Sequence, residues 1–313
     1  MSGKERLLIT GGLGNLGSWL SEYFSSKYDL FILSKSAKNQ LSCSYSLIKA
    51  DISNIDELKS KLNIEFDYCI HAASYNESFH ENYAEKALKI NALGTRNLVE
   101  VLKDTKIKNF IYLSTFHVYG ISSGLINEDS ELSPRNDYAS THLFAEYYLK
   151  QFLNTHNFQS VILRLTNCYG APKHVNSSKW YLVLNDLVKS AFEKGVITLN
   201  GSGEEVRDLI WMGDVCSAIE DLLISSHSDT YNLSSGFSYK MIFLAEKVKK
   251  NYELRYAKNI EIVIKGVDKS KAQKLEVDNN KIRRKIGSNF GDHLEKEIDA
   301  IFSLLEGCKE LKH

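Results

Sequence analysis

The chain has 313 residues, 43% of them hydrophobic, and its 39 Lys and Arg balance 39 Asp and Glu to a formal net charge of +0. That length supplies a sizeable core, and the balanced charge excludes a global field for nucleic acid or an anionic membrane surface, so an anionic ligand has to be held by local groups. The first residues lead straight into an apolar strand without a signal peptide or membrane span, which points to a cytoplasmic protein. The five cysteines are scattered, with neither CxxC nor His at ligand spacing, and so argue for structural thiols rather than metal or disulfides.

Taken in chain order, short apolar runs alternate with longer amphipathic ones. "RLLIT" predicts a strand, 15–26 a helix, "LFIL" and "SLIKAD" two strands, and 55–62 a helix. "YCIHAA" predicts a strand, 82–104 a helix, "NFIYLS" a strand, 138–155 a helix and "SVILRL" a strand. Strands that are apolar throughout and separated by helices predict a parallel sheet covered on both faces. The fold class is therefore α/β, a doubly wound parallel sheet of Rossmann type. Beyond about Thr166 the pattern is mixed, with a helix expected over 178–194, strands near "VITLNG" and "IEIVIKG", and helices near 213–224, 239–250 and 292–305. This predicts a dinucleotide-binding domain over 1–166, joined by 207–232, and a smaller mixed α/β substrate-binding region over 167–206 and 233–313.

The first chemical signal follows the first strand. "TGGLGNLGSWL" places Gly11, Gly14 and Gly17 three apart, with Asn15 and Leu16 between them. Glycine lets the backbone approach a pyrophosphate, and the helix that follows directs unpaired N–H groups at it. At the end of the second strand, Ser34 and Lys35 stand where an acid would bind the adenosine ribose. Lys35 could pair with a 2′-phosphate, whereas Ser34 could hydrogen-bond a plain ribose and the loop offers no second cation. The reading favours NAD over NADP.

With these and further motifs in order, the chain resembles the extended short-chain dehydrogenase/reductases, in particular the NAD-dependent epimerase/dehydratase family that acts on nucleotide sugars, of UDP-galactose 4-epimerase type. The resemblance runs through "GGLGNLG", "KADISN", "HAAS", "INALGTRNLVE", "YLSTFHVYG", "LRLTNCYGAP", "GSGEEVRDLIWMGDV" and "YNLSSG". It implies that Asp51 and Ile52 contact adenine and that Ala72, Ala73 and Asn91 line the cofactor. It further implies that Thr115 bonds the sugar C4 oxygen, that Tyr138 is the acid/base, and that Asn167 and Arg207 contact the diphosphate of a nucleotide-diphosphate sugar. The bland alternative for Arg207 is a surface ion pair with Asp208.

Two departures from the family pattern narrow the chemistry. In "YASTH" the family's Lys, which holds the nicotinamide ribose and stabilises the Tyr phenolate, is replaced by His142. One helical turn from Tyr138, His142 is on the same face and is expected to take over the ribose contact; if protonated, it would also stabilise the phenolate. After Thr115, family 4,6-dehydratases carry Asp-Glu, where this chain has Phe116 and His117. Elimination of water is therefore not expected, which leaves hydride transfer at C4 as dehydrogenation or keto reduction. The alternatives are 4-epimerisation and a cofactor-binding regulatory protein without turnover. His117 is open to two readings, a substrate contact or a base addressing C5 or C3. Finally, Tyr147, Tyr148 and Phe152 give the helix after Tyr138 more aromatic surface than its own core needs, which predicts a homo-oligomer.

Overall fold

A computed structural model describes residues 3–36, 41–77, 80–156, 159–174, 177–225, 227–266 and 274–310. Seven parallel strands form the main sheet: β1 (Arg6–Thr10), β2 (Asp29–Ser34), β3 (Ser46–Lys49), β4 (Tyr68–His71), β5 (Asn109–Thr115), β6 (Ser160–Leu165) and β7 (Asp229–Leu233). Their order is β7-β6-β5-β4-β1-β2-β3. Alternate residues of each strand serve opposite faces. Leu7 and Ile9 pack with Leu20, Phe24 and Ile219 on one face, while Leu8 packs with Leu98, Phe110 and Leu149 on the other. Both faces are thus covered, as the uninterrupted apolar strands predict.

The chain order reverses between β1 and β4, so a crevice opens beyond the C-terminal ends of these strands. The glycine loop after β1, the segment Ala72–Ser74 after β4 and Thr115 at the end of β5 meet on that rim. The helix expected over 82–104 is interrupted: α-helix Tyr83–Ala87 passes into a π-turn, Leu88–Leu93, before α-helix Gly94–Leu102. Such an expanded turn shifts the register of the buried face, and Asn91 lies within it, buried.

The second region holds a sheet of Asn167–Tyr169, Val206–Trp211 and Ser238–Lys240, and a parallel ladder of Val196–Leu199 with Glu261–Ile264. Helices Val183–Lys194, Met241–Tyr256 and Leu294–Glu310 enclose a core of Leu187, Val188, Leu244, Ile298 and Phe302. The helix expected from 178 starts instead at Val183, after a 3-10 turn at Lys179–Tyr181, because Leu182 has extended backbone. The segment 207–232 is divided: strand Val206–Trp211 joins the small sheet, whereas helix Met212–Leu223 and β7 belong to the main sheet. No helix among the described residues is long and apolar enough to cross a membrane.

Candidate active site

The glycine loop is shaped by close approach. Gly11 has φ +68°, and a Cβ there would come within 2.7 Å of the Ala73 backbone; one at Gly17 would collide with the Gly11 carbonyl. Helix Asn15–Phe24 starts at the loop without a side-chain cap, which leaves its first N–H groups for a ligand. Asn15 Oδ1 is buried without a partner. Beside the loop, a cavity of about 320 Å³ is lined by Gly11, Gly14, Ser34, Lys35, Asp51, Ile52, Ala72, Ala73 and Ser74. A second, of about 300 Å³, shares Gly11, Gly14, Ala72 and Ser74, and adds Asn15, Leu16, Gly17, Thr115, His117, Tyr138, His142 and Asn167. The two form a continuous trough whose uncapped helix end, missing Cβ atoms and orphaned polar atom fit a dinucleotide.

Within it, Lys35 Nζ lies 2.6 Å from Asp51 Oδ2, and Ser53 donates to the same carboxylate through both N–H and hydroxyl. Burial opposes ionisation of Asp51, but the bonds from Lys35 and Ser53 outweigh it and hold the carboxyl below its ordinary range. Asn91 departs from the expected cofactor contact. Its Oδ1 accepts from Tyr75 N at 2.6 Å, and its Nδ2 donates to Tyr75 O and Thr141 Oγ1. A side chain so committed braces the loop after β4 against the helix that carries Thr141 instead of lining the trough.

That helix, Asp137–Thr155, is capped by Asn136, whose Oδ1 accepts from Ala139 N at 2.9 Å. Tyr138 and His142 follow one turn apart, their rings in a T-shaped contact with centroids 4.5 Å apart. Tyr138 shares a side-chain hydrogen bond with Thr115; burial nevertheless raises its phenol above the ordinary value, with Cys168, Tyr83 and Tyr181 adding to the effect. His142 is 2% exposed, and burial pushes it down to about 3, aided by repulsion from His117. Burial thus disfavours the protonated His142 considered beside the phenolate, and its two ring nitrogens face hydroxyls, Tyr112 at 2.7 Å and Ser74 at 3.1 Å.

Asn167 lines the second cavity and donates to the Asp208 carbonyl. Arg207 lines a different cavity, of about 250 Å³, with Tyr181, Asp186, Asn200 and Glu205. No ion pair with Asp208 forms: that carboxylate is buried and accepts from Thr166 and Ser234. The Arg207 guanidinium donates to its neighbour's carbonyl at 3.1 Å and contributes, after desolvation, to depressing His117. His117 is open to the cleft and edge-on to Tyr138, centroids 6.3 Å apart. Ser74, the last residue of "HAAS", also lines this second cavity, whereas Asn76 and Lys179 are lining residues that escape sequence reasoning. Lys179 Nζ bonds Glu77, the Asn76 carbonyl and Tyr181 OH; a single Lys ahead of an amphipathic helix carries no spacing to single it out.

Residues 7–234 match the family model described as the NAD dependent epimerase/dehydratase family. The chain belongs to that family. Among curated relatives, it is 28% identical over 275 residues to the dTDP-D-glucose 4,6-dehydratase of Dictyostelium discoideum, covering 78% of this chain but only 61% of that protein. Among solved structures, it is similar to a UDP-N-acetylglucosamine 4-epimerase from Methanobrevibacter ruminantium in complex with UDP-N-acetylmuramic acid: TM-score 0.84 at 22% identity, covering 98% of this chain and 99% of the other. A variant UDP-glucuronic acid 4-epimerase from Bacillus cereus, in complex with UDP-4-deoxy-4-fluoro-glucuronic acid and NAD, gives 0.80 at 21% identity, covering 97% and 99%. At these identities the two structures establish the fold. Family membership is consistent with the dinucleotide fit of the trough.

Proposed function

We propose that this protein is a nucleotide-sugar oxidoreductase that transfers a hydride between sugar C4 and NAD(H), as a 4-keto reductase or 4-dehydrogenase. The observation that carries the reading is the meeting of Thr115, Tyr138 and Asn167 with the glycine loop in one cavity, with no carboxylate among the described residues lining it. Without a carboxyl acid and base beside the sugar, elimination of water is disfavoured. When bound, a nicotinamide dinucleotide supplies the hydride chemistry; Gly11, Gly14, Asn15, Leu16 and Gly17 would hold its phosphates, and Ser34, Asp51 and Ile52 its adenosine end. The Asp51 carboxylate would repel a 2′-phosphate and already occupies Lys35, which supports NAD over NADP. Thr115 orients the C4 oxygen, and the Tyr138 phenol, kept protonated by burial, delivers a proton to it. Reduction of a 4-keto sugar starts from this protonated form. Asn167 and Arg207 hold the diphosphate.

The test is nicotinamide absorbance with UDP- and dTDP-linked 4-keto sugars and either NADH or NADPH. Consumption of NADH in preference to NADPH is the expected result, and Arg207→Ala should weaken sugar-nucleotide binding by about 2 kcal/mol, the low end for a charge-assisted contact, with NADH affinity unchanged. Dinucleotide binding without turnover of any 4-keto or 4-hydroxy sugar nucleotide would point to a regulatory protein. Interconversion of C4 epimers without net change in NADH would point to a 4-epimerase.

A second copy of the chain is proposed as partner. On the outer face of the Asp137–Thr155 helix, Phe144 and Tyr147 are each 52% exposed, and Tyr148 is half-buried. Phe152 is corrected: it packs inside the subunit with Ala145 and Leu149, and Phe144 completes the aromatic face in its place. Light scattering should show a species of at least twice 35.6 kDa, reduced to the monomer by Phe144→Glu with Tyr147→Glu. A wild-type monomer at micromolar concentration would refute this pairing.

A further inference from the structure

His142 stands where the family pattern has a lysine, yet its surroundings are built around a neutral ring. Its Nδ1 lies 2.7 Å from the hydroxyl of Tyr112 on β5, and its Nε2 lies 3.1 Å from the hydroxyl of Ser74 after β4. Tyr112 is fully buried, whereas Ser74 is exposed in both halves of the trough. The sequence does not connect these three residues; the β4–β5 pairing and the catalytic helix bring them together.

Accounting for hydrogens assigns the His71 tautomer. The Thr95 hydroxyl donates to the Asn91 carbonyl at 2.5 Å, so toward His71 Nε2, 2.8 Å away, it can only accept. His71 therefore carries its proton on Nε2, and its Nδ1 accepts from Thr10 at 2.5 Å. Thr95 keeps a second lone pair and also bonds Tyr112, so the Tyr112 hydrogen has two acceptors, Thr95 Oγ1 and His142 Nδ1. Directed at Nδ1, it leaves His142 with its proton on Nε2, donating to Ser74, whose own hydrogen then points into the trough.

We propose that Tyr112 is a positioning residue that locks His142 in the Nε2–H tautomer, so that a neutral His142–Ser74 pair offers a hydroxyl donor to the cofactor ribose where the family pattern has an ammonium. The inference rests on the dinucleotide reading of the trough. The titratable groups that face His142 are Tyr112, Tyr138, His71 and His117. Burial raises both tyrosines and depresses both histidines, which in each case disfavours the charged form. A chain of neutral donors holds its polarity across the range in which an exposed His would titrate.

The test uses the full-length protein labelled with ¹⁵N-histidine, with the His142 resonances assigned by their loss in His142→Gln, and NADH as the binding probe. Wild type should show the Nε2–H tautomer without titration between roughly pH 5 and 9, a window spanning the ordinary His value. Tyr112→Phe should release Nδ1, mix the tautomers and lower NADH affinity about ten-fold, the scale of one lost hydrogen bond. Ser74→Ala should lower NADH affinity similarly but retain the tautomer, and the double variant should lose little more than either single one. An Nδ1–H or titrating His142 in wild type, or an unchanged tautomer in Tyr112→Phe, overturns the proposal. A wild-type protein with the assigned tautomer that binds no NADH overturns the cofactor reading, and with it the ribose contact, but not the role of Tyr112 in setting the ring.

Discussion

Tyr138→Phe is expected to slow hydride transfer to a 4-keto sugar by about 10²- to 10⁴-fold, the range for loss of a positioned proton donor, while NADH affinity stays unchanged. The substitution removes one hydroxyl from a ring whose packing against His142 is otherwise kept. The pH dependence carries a second signature. Burial raises the phenol above its ordinary value even though the bond to Thr115 pulls the other way, so at neutral pH the proton donor is already in place. Reduction should therefore be nearly flat across neutral pH. Oxidation of the 4-hydroxy sugar requires the phenolate and should climb with pH without reaching a plateau in the neutral range. A plateau near neutrality would mean that bound ligands bring the phenol down by a route that His142 does not supply. Single-turnover absorbance in both directions, beside fluorescence titration of NADH, distinguishes these outcomes.

The limits of sequence reading show in which of these features required tertiary information. The strands of the main sheet are legible because a strand buried on both faces has to be apolar throughout, and "RLLIT" and "SVILRL" coincide with β1 and β6. The glycine loop is legible for an equally local reason, since close backbone approach admits no Cβ at Gly11 or Gly17. Pairings between distant segments are not legible. Lys35 looks like a free loop charge until Asp51 is folded against it. Asn91 carries a motif position, but only the π-turn and the loop at Tyr75 show that its amide is spent on the chain itself. In the same way, helical spacing places His142 beside Tyr138 but says nothing of Tyr112, which arrives from a strand and turns a presumptive cation into a neutral ring. Phe152 looks outward on composition alone; its burial follows from the position of the helix on the sheet.

The helix that presents Tyr138 and His142 is fastened by a charge pair, and breaking that pair should cost the most stability. Glu146, one turn beyond His142, is 0% exposed, and Arg164 on β6 is 2% exposed, with Nη2 2.7 Å from Oε2. The carboxylate also accepts from Ser114 on β5 at 2.6 Å. The guanidinium donates to Tyr119 OH at 2.9 Å, which in turn donates to Asn232 on β7 at 2.6 Å. One network thus joins the Asp137–Thr155 helix to three strands of the sheet. Arg164→Met strands a carboxylate in the core and should destabilise the fold by about 3 to 5 kcal/mol. Replacing both charges, Arg164→Met with Glu146→Leu, should recover most of the loss, because desolvation of the ions offsets their attraction and two apolar side chains can fill the space. Denaturant unfolding of the two single variants and the double completes a cycle that isolates the coupling. A single-variant loss below about 1 kcal/mol, typical of exposed pairs, would mean that water reaches Glu146. If the double variant is stable but slow in hydride transfer, the pair's contribution is to hold Tyr138 and His142 at the angle the trough requires, and the charge is retained for that orientation and not for net stability.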